Sequence, residues 1–186
     1  MARVPYLQPA DVPEEYRDLL SGDSNLLRAL INSPNAARDS RPLPNFIRFK
    51  SRLDPRLREL AILQVGYLAR APYEWAHHIE IGHRFGVSDD DIRAMIDDTN
   101  GKPTNLDVLT KTVLKAAREI TLEGAVSEQT FSALKQWLDN ERYVDLVIAT
   151  SHYNSVVRIL GSLQIDLEEG YQRYLDQFPL PAAAGR

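Results

Sequence analysis

Three of the four histidines in this chain, at positions 77, 78 and 83, fall within one short segment that also contains Glu74. On a helix, Glu74 and His78 are four residues apart, so their side chains share a face. A carboxylate within hydrogen-bond reach of an imidazole orients the ring and raises its basicity, which makes a general acid/base pair. The same spacing also occurs in exposed helix pairs that contribute little to stability. Spacing alone therefore leaves both interpretations open.

A metal site is a further interpretation of the same segment. His77, Glu80 and His83 could present ligands along one side of a helix, whereas His78 and His83 point to different faces. The segment is not an HExxH motif, and two or three ligands without thiolates or a further histidine nearby are a poor set for zinc. The chain also lacks a phosphate-binding glycine loop, so we expect neither a metal nor another cofactor.

Composition restricts the class of function. The 186 residues carry a net charge of -4, with 44% hydrophobic and 26% charged residues, as in an ordinary soluble domain. A nucleic-acid-binding protein would need a basic stripe, and the arginines between Arg38 and Arg58 are interrupted by acidic residues. We therefore expect a solvated charged face there and no nucleic-acid partner.

The chain contains no cysteine, which excludes disulfides, thiolate ligands and thiol nucleophiles. Its first residues lack the apolar core of a signal peptide, and no apolar run reaches the length of a membrane span. We therefore expect a cytoplasmic protein without a membrane partner.

Helix signals dominate the sequence and predict an all-α fold. Asp54 as N-cap and Pro55 at the first helical position start a largely buried helix that continues to Leu68. Ala71-Pro72 ends this helix and starts the next, which runs from about 73 to 85 and is followed by Gly86. The segment 143–163 is apolar almost all round, as expected for a helix at the centre of a core or a subunit interface.

Weaker signals outline the rest of a single domain spanning residues 1–186. Capping residues or prolines predict helix starts at Ser24, Pro34, Ser88 and Ser127, and Thr104 together with Asp107 predicts one more. The helix that starts at Ser127 is expected to continue through Leu138. The prolines in 41–44 predict a break in regular structure. We expect an N-terminal extension over 1–23, a last helix near 167–178 and a loose tail over 179–186.

Three separated blocks in the middle of the chain resemble the carboxymuconolactone decarboxylase superfamily. They are LDPRLRELAIL at 53–63, YEWAHH at 73–78 and GVSDDDI at 86–92, and YNSVVRIL at 153–160 resembles the family's last core helix. The likeness spans roughly residues 25–168. It implies an alkylhydroperoxidase D-like helical bundle with a helical hairpin around the site. It also implies assembly as a homo-oligomer, a trimer or a hexamer, with a pocket near the subunit contacts.

The superfamily also contains thiol peroxidases, whose pattern is a glutamate, a CxxC motif and a histidine. Laid onto this chain, the glutamate falls on Glu59, the cysteine positions on Ala71 and Glu74, and the histidine on His78. Peroxidase and disulfide-reductase chemistry therefore cannot operate here, because both thiols are absent. The chain retains the two proton-relay residues of the pattern, Glu59 and His78, and so resembles a cysteine-free branch of the superfamily.

The resemblance implies a cofactor-independent lyase that acts by proton transfer on a small carboxylated lactone or related ring-cleavage product. Glu59, Glu74 and His78 are its expected catalytic residues. The expected substrate-binding residues are Arg58, Tyr73, Trp75 and His77. A non-catalytic helical binding or assembly protein of the same fold is the alternative, and a peroxidase-related protein is a less favoured one.

Overall fold

The computed structural model describes residues 2–20, 22 and 24–182, and these residues form helices without any β-strand. The predicted all-α class is confirmed. The α-helices of this part of the chain are α1 (Asn25–Leu30), α2 (Pro34–Ser40), α3 (Pro42–Phe49), α4 (Pro55–Leu68), α5 (Pro72–Arg84), α6 (Asp89–Thr99), α7 (Val108–Glu123), α8 (Glu128–Leu134), α9 (Asn140–Leu163) and α10 (Gln172–Gln177). Short 3-10 helices occupy Pro9–Asp11, Glu14–Leu19 and Glu169–Tyr171.

The central hairpin of α4 and α5 forms where the sequence predicts it. The Asp54 side chain accepts a hydrogen bond from the Leu57 amide at 3.0 Å, and Pro55 occupies the first turn of α4. Pro72 starts α5 in the same way, where its missing N–H leaves no bond unmade. Gly66 allows the two helices to approach closely, because a β-carbon there would lie 3.3 Å from the Trp75 amide nitrogen.

Helix α4 is the central helix of the core and packs against α5, α7 and α9. Its side chains from 57 to 67 are buried on every face, which explains why the segment lacks a polar stripe. Leu60 and Leu63 contact the α5 side, Leu57 and Ala61 the α7 side, and Ile62 the α9 side. Each large apolar side chain buried in this way contributes about 1.5–3 kcal/mol, so α4 is held rigidly against its neighbours.

The structure corrects three sequence-based boundaries. The proline-rich segment 41–44 ends α2 but also begins α3, because Pro42 and Pro44 lie in the first turn, where amides have no intrahelical partner. Helix α7 is capped by Asp107 rather than Thr104. Helix α8 ends at Leu134 instead of continuing to Leu138, and a turn follows it.

The two ends of the chain lie against the helical core. Within the predicted extension 1–23, Val12 and Leu19 pack with Ile31, and residues 1, 21 and 23 lie outside the described part. In the predicted tail, the carbonyl of Ala182 accepts a hydrogen bond from Arg70 at 3.1 Å, and residues 183–186 lie outside the described part. Among the described helices, none combines the length and apolarity needed to cross a membrane.

Candidate functional site

Glu59 of α4 and His78 of α5 meet between the two helices. The Glu59 Oε2 atom lies 2.8 Å from His78 Nδ1, and the two side chains are 1% and 5% exposed. Arg58 donates to the other oxygen, Oε1, through Nε at 3.0 Å and Nη2 at 2.9 Å. Glu59 therefore holds the imidazole with one oxygen and a buried guanidinium with the other.

Glu74 approaches the opposite nitrogen of the same imidazole. Its Oε1 atom lies 3.0 Å from His78 Nε2, one helical turn away on α5. The contact is close enough for an ion pair, but it is not aligned as a hydrogen bond. Glu74 Oε1 is a buried oxygen without a hydrogen-bond donor among the described residues. Its close polar neighbour in this structure is therefore the His78 imidazole.

The surroundings of His78 favour its charged form. Burial alone would lower its pKa, but the carboxylates of Glu74 and Glu59 more than offset burial and raise the pKa to about 9. Burial would raise the pKa of Glu59, and the positive charges of His78 and Arg58 lower it overall. At neutral pH, the site thus contains an imidazolium between two acidic side chains.

These four side chains, Arg58, Glu59, Glu74 and His78, form what we call the buried quartet. All four are at most 4% exposed as whole residues. With its members ionised, the two cations balance the two carboxylates, so the quartet has no net charge. Charge balance allows ionised groups to lie inside a helical core, where an unpaired charge would be costly.

A cavity of about 890 Å³, the site cavity, opens beside the buried quartet. Of the residues singled out from the sequence, Tyr73, Glu74, His77 and His78 line it. Glu59, Arg58 and Trp75 are not among its lining residues, so the structure places them behind the wall. The other walls come from α1, α2, α3, α9 and the segment 168–171, with Leu30, Arg41, Arg48, His152, Tyr153 and Tyr171 among the contributors.

His77 stabilises one wall of the site cavity. Its ring stacks between Tyr73, at a centroid distance of 4.3 Å, and Tyr171, at 3.8 Å. Its Nε2 atom lies 2.8 Å from Glu168 Oε2, and the Tyr73 hydroxyl donates to Glu168 Oε1 at 3.0 Å. The backbone N–H of Asn25 donates to the same oxygen at 2.7 Å. We call this arrangement the Glu168 clasp, since it joins α1, α5 and the C-terminal segment.

Arg58 and Trp75, two predicted substrate-binding residues, have structural partners instead of a place on the cavity surface. The Arg58 guanidinium lies over the Phe85 ring at 4.6 Å in addition to its bonds with Glu59. Trp75 is fully buried and donates its indole N–H to the Phe178 carbonyl at 2.8 Å. Both residues can affect a bound molecule only through the groups that they hold.

The residues considered for a metal site do not converge. His77 contacts Glu168, Glu80 pairs with Arg84, and His83 Nε2 lies 2.9 Å from Asp89 Oδ1. Within residues 2–20, 22 and 24–182, no group of three or more potential ligands is arranged around a common point.

Sequence reasoning missed three residues that line the site cavity, namely Arg48, His152 and Tyr153. Arg48 belongs to a basic segment that resembled a solvated face, and its helix was not predicted. His152 is half-buried, and burial lowers its pKa. The Tyr153 ring meets the His78 ring edge-on at 4.6 Å. The only available signal was the register of α9, which places 153 on the same face as the buried Leu146, Ala149 and Val157.

Comparison with known proteins gives a family match for the segment that contains the site. Residues 37–100, about a third of the chain, match the model of the Carboxymuconolactone decarboxylase family. This segment contains α4, α5 and all four members of the buried quartet. No curated protein sequence matches the chain.

Several solved structures share the fold over nearly the full length. A peroxidase-related protein with an alkylhydroperoxidase AhpD core from Ralstonia eutropha JMP134 has a TM-score of 0.74 at 16% identity, covering 97% of this chain and 98% of that one. A variant of a debrominase in complex with 2,3,4-tribromopyrrole has a TM-score of 0.77 at 16% identity, covering 96% and 98%. A peroxidase-related protein from Silicibacter sp. TM1040 has a TM-score of 0.71 at 16% identity, covering 91% and 92%.

Identities this low establish the fold and leave the activity open. The fold and the match to residues 37–100 nevertheless agree with the resemblance recognised in the sequence, and the chain has no cysteine. Residues 37–100 are therefore similar to the carboxymuconolactone decarboxylase family, within a chain that has the alkylhydroperoxidase D-like helical fold.

Proposed function

We propose that the protein is a cofactor-independent lyase that transfers protons to and from a small carboxylated lactone or related ring-cleavage product. The observation that carries this proposal is the imidazole of His78, held between Glu59 and Glu74 on the wall of the site cavity. An acid/base residue needs a fixed orientation, a suitable charge state and access to the substrate. His78 has a fixed position and lines the cavity. A debrominase of the same fold has been solved in complex with a substituted pyrrole, which supports a small ring compound as the ligand.

Decarboxylation of such a lactone requires a positioned acid. The bond between the ring carbon and the carboxylate breaks, CO₂ leaves, and the electron pair passes into the neighbouring unsaturated carbonyl as a dienolate. The imidazolium of His78 donates its proton to the dienolate carbon and becomes neutral. It then regains a proton from solvent, so one proton is consumed for each CO₂ released.

The two carboxylates have different positions in this scheme. Glu59 lies behind His78, where it fixes the ring through Nδ1 and balances the charge of Arg58. Glu74 lines the cavity and pairs with His78 Nε2, so it can orient a proton-bearing group of the substrate as well as the imidazole. The raised pKa of His78 ensures a charged acid at neutral pH, while proximity to the dienolate favours proton delivery.

Thiol chemistry is a poor match to the site. The positions that carry cysteines in the peroxidase pattern are Ala71 and Glu74, and the chain has no cysteine elsewhere. Peroxide reduction through a dithiol would need both sulfur atoms. Proton transfer needs only the groups that line the cavity or lie directly behind it.

Two substitutions test the proposal, His78→Asn and Glu74→Gln. The assay follows ultraviolet change and CO₂ release with a panel of carboxylated lactones and β-keto acids. If His78 is the acid, turnover should fall by about 100-fold or more in His78→Asn. His83→Asn is the matched control, since His83 lies on the same helix but pairs with Asp89 and is not among the cavity-lining residues.

The proposal fails if both variants turn over at the wild-type rate. Binding of panel members by the wild type without turnover of any would instead favour a non-catalytic binding protein of this fold. Circular dichroism spectra of each variant must match that of the wild type for the comparison to hold.

We also propose a homo-oligomer, a trimer or a hexamer, as the family resemblance implies. Large apolar side chains that reach solvent in the described part of the chain support an interface; they include Phe49 at 69%, Val108 at 67%, Leu122 at 67% and Trp137 at 55% exposure. Light scattering coupled to size-exclusion chromatography measures the assembly directly, and a monomer at micromolar concentration would contradict it.

A further inference from the structure

Arg48 is a cationic residue of the site cavity, and no acidic side chain among the described residues pairs with it. It lies near the end of α3, is half-buried, and lines the cavity together with Glu74 and His78. Among the described residues it forms no ion pair, and its guanidinium lies 5.9 Å from the centroid of the Phe49 ring. A guanidinium that faces a cavity without a counterion can receive an anion.

The other arginines of the cavity wall differ in this respect. Arg84 pairs with Glu80, four residues earlier on α5. Arg41 lies 3.9 Å from an oxygen of Asp18 and donates to the Asp18 carbonyl at 2.9 Å. An anion that approached either of these residues would have to compete with a carboxylate already in place. Arg48 alone among the three offers a guanidinium without such competition in the described structure.

Tyr153 connects Arg48 to the acid/base residues. Burial and the charge of Glu74 raise the pKa of the Tyr153 phenol, whereas the charge of Arg48 and a side-chain hydrogen bond between Arg48 and the phenol oppose this effect. The Tyr153 ring also meets the His78 ring edge-on, at a centroid distance of 4.6 Å. Ile47, next to Arg48, packs in the same core cluster as Tyr153 and fixes the position of α3. A ring-sized molecule can therefore contact Arg48 and His78 at the same time.

The charge balance of the site also favours Arg48 as the residue that binds an anion. The buried quartet has no net charge when ionised, so it offers no excess positive charge to an anionic substrate. Arg48 adds one positive charge beside it, in a cavity whose partly enclosed walls weaken screening by solvent.

We propose that Arg48 binds a substrate carboxylate, and that the ligand class is a small ring compound whose bound carboxylate persists in the product. Only the statement that the bound carboxylate persists in the product rests on the proposed lyase function. A carboxylate that leaves as CO₂ loses its charge in the transition state, so a guanidinium bound to it would stabilise the ground state and slow the reaction. Arg48 must then hold a second anionic group, which remains bound while His78 delivers its proton.

Binding of benzoate and benzamide tests the anchor without requiring turnover. The two probes share a ring and differ in charge, and a ligand of this size is expected to bind with a Kd of about 1 mM. Ligand-observed NMR titrations should show tighter binding of benzoate than of benzamide by the wild type. In Arg48→Gln the benzoate affinity should fall by about 10-fold to 100-fold, while that for benzamide stays nearly unchanged.

Two further variants make the test specific. Arg48→Lys keeps the charge but loses the planar fork, so its benzoate affinity should be intermediate. Arg84→Gln removes the same charge from the cavity wall, but from an existing ion pair, and should change benzoate affinity by less than about 2-fold. Circular dichroism and thermal unfolding check that each variant is folded.

The inference is overturned if the wild type does not prefer benzoate, or if Arg48→Gln binds benzoate as the wild type does. An equal loss in Arg84→Gln would also overturn it, since any cavity charge would then suffice. Failure of the lyase function is a separate result: the lactone panel would give no CO₂ while the benzoate dependence on Arg48 persisted.

Discussion

Replacing Glu74 with glutamine tests the electrostatic account of the site, because the side chains have nearly the same shape and only the charge is lost. In the native chain, burial opposes the charged form of His78, and the charges of Glu74 and Glu59 together raise its pKa to about 9. In Glu74→Gln only Glu59 opposes the effect of burial. We therefore expect the pKa of His78 to be lower by at least about one pH unit in the variant.

The same change has a calculable effect on stability. A His78 pKa that rises from 6.5 in the unfolded chain to about 9 in the folded one stabilises the folded state by about 3 kcal/mol. Because folding raises this pKa, the stabilisation is complete below pH 6.5 and is lost as the pH rises through about 9. Each pH unit by which Glu74→Gln lowers the pKa should remove about 1.4 kcal/mol of the low-pH stabilisation.

Two measurements check this account. An NMR titration of the His78 ring, assigned by its absence in His78→Asn, gives the pKa in the wild type and in Glu74→Gln. Urea unfolding between about pH 6 and about pH 9.5 gives the difference in unfolding free energy, which should shrink as the pH rises. The electrostatic reasoning is refuted if the His78 pKa is the same in both proteins, or if the stability difference does not depend on pH.

Other substitutions probe the packing beneath the site. Glu59→Gln should lower the unfolding free energy by about 3–5 kcal/mol, because it leaves the Arg58 guanidinium buried without its carboxylate; urea unfolding measures this, and a loss below about 1 kcal/mol would contradict it. Gly66→Ala should cost about 1–3 kcal/mol and reduce turnover, because its β-carbon would crowd Trp75 and displace α5. Gly161→Ala is the matched control, since its β-carbon meets nothing within 4 Å, and it should stabilise α9 by about 0.5–1 kcal/mol. Equal effects of the two glycine substitutions in thermal unfolding would argue against close helix contact as the cause.

The hairpin that carries the site was predictable because its signals are local. Asp54 and Pro55 define the start of one helix, Pro72 defines the start of the next, and each acts within a single turn. The contact between Glu74 and His78 follows from a spacing of four residues on one helix. Such features depend on chain chemistry alone, and tertiary packing did not alter them.

Contacts between helices were less accessible to sequence reasoning. Glu59 meets His78 across 19 positions of sequence, and its own helix gives no indication of that partner; only the family pattern suggested it. Arg48 escaped notice because two prolines at the start of α3 indicated a break, although prolines in the first turn are compatible with a helix. Tyr153 required knowledge of which face of α9 borders the cavity. In each case the information lies in packing geometry rather than in residue type.

The Glu168 clasp has a consequence for the order in which a newly made chain becomes functional. Glu168 binds the Asn25 amide across 143 positions of sequence and the Tyr73 hydroxyl across 95. During synthesis, the hairpin of α4 and α5 can form from local contacts long before Glu168 leaves the ribosome, whereas the clasp cannot. A partly synthesised chain would thus carry its acid/base groups without the wall that encloses them. Enclosure of the reactive groups therefore comes later in synthesis than formation of the hairpin that carries them.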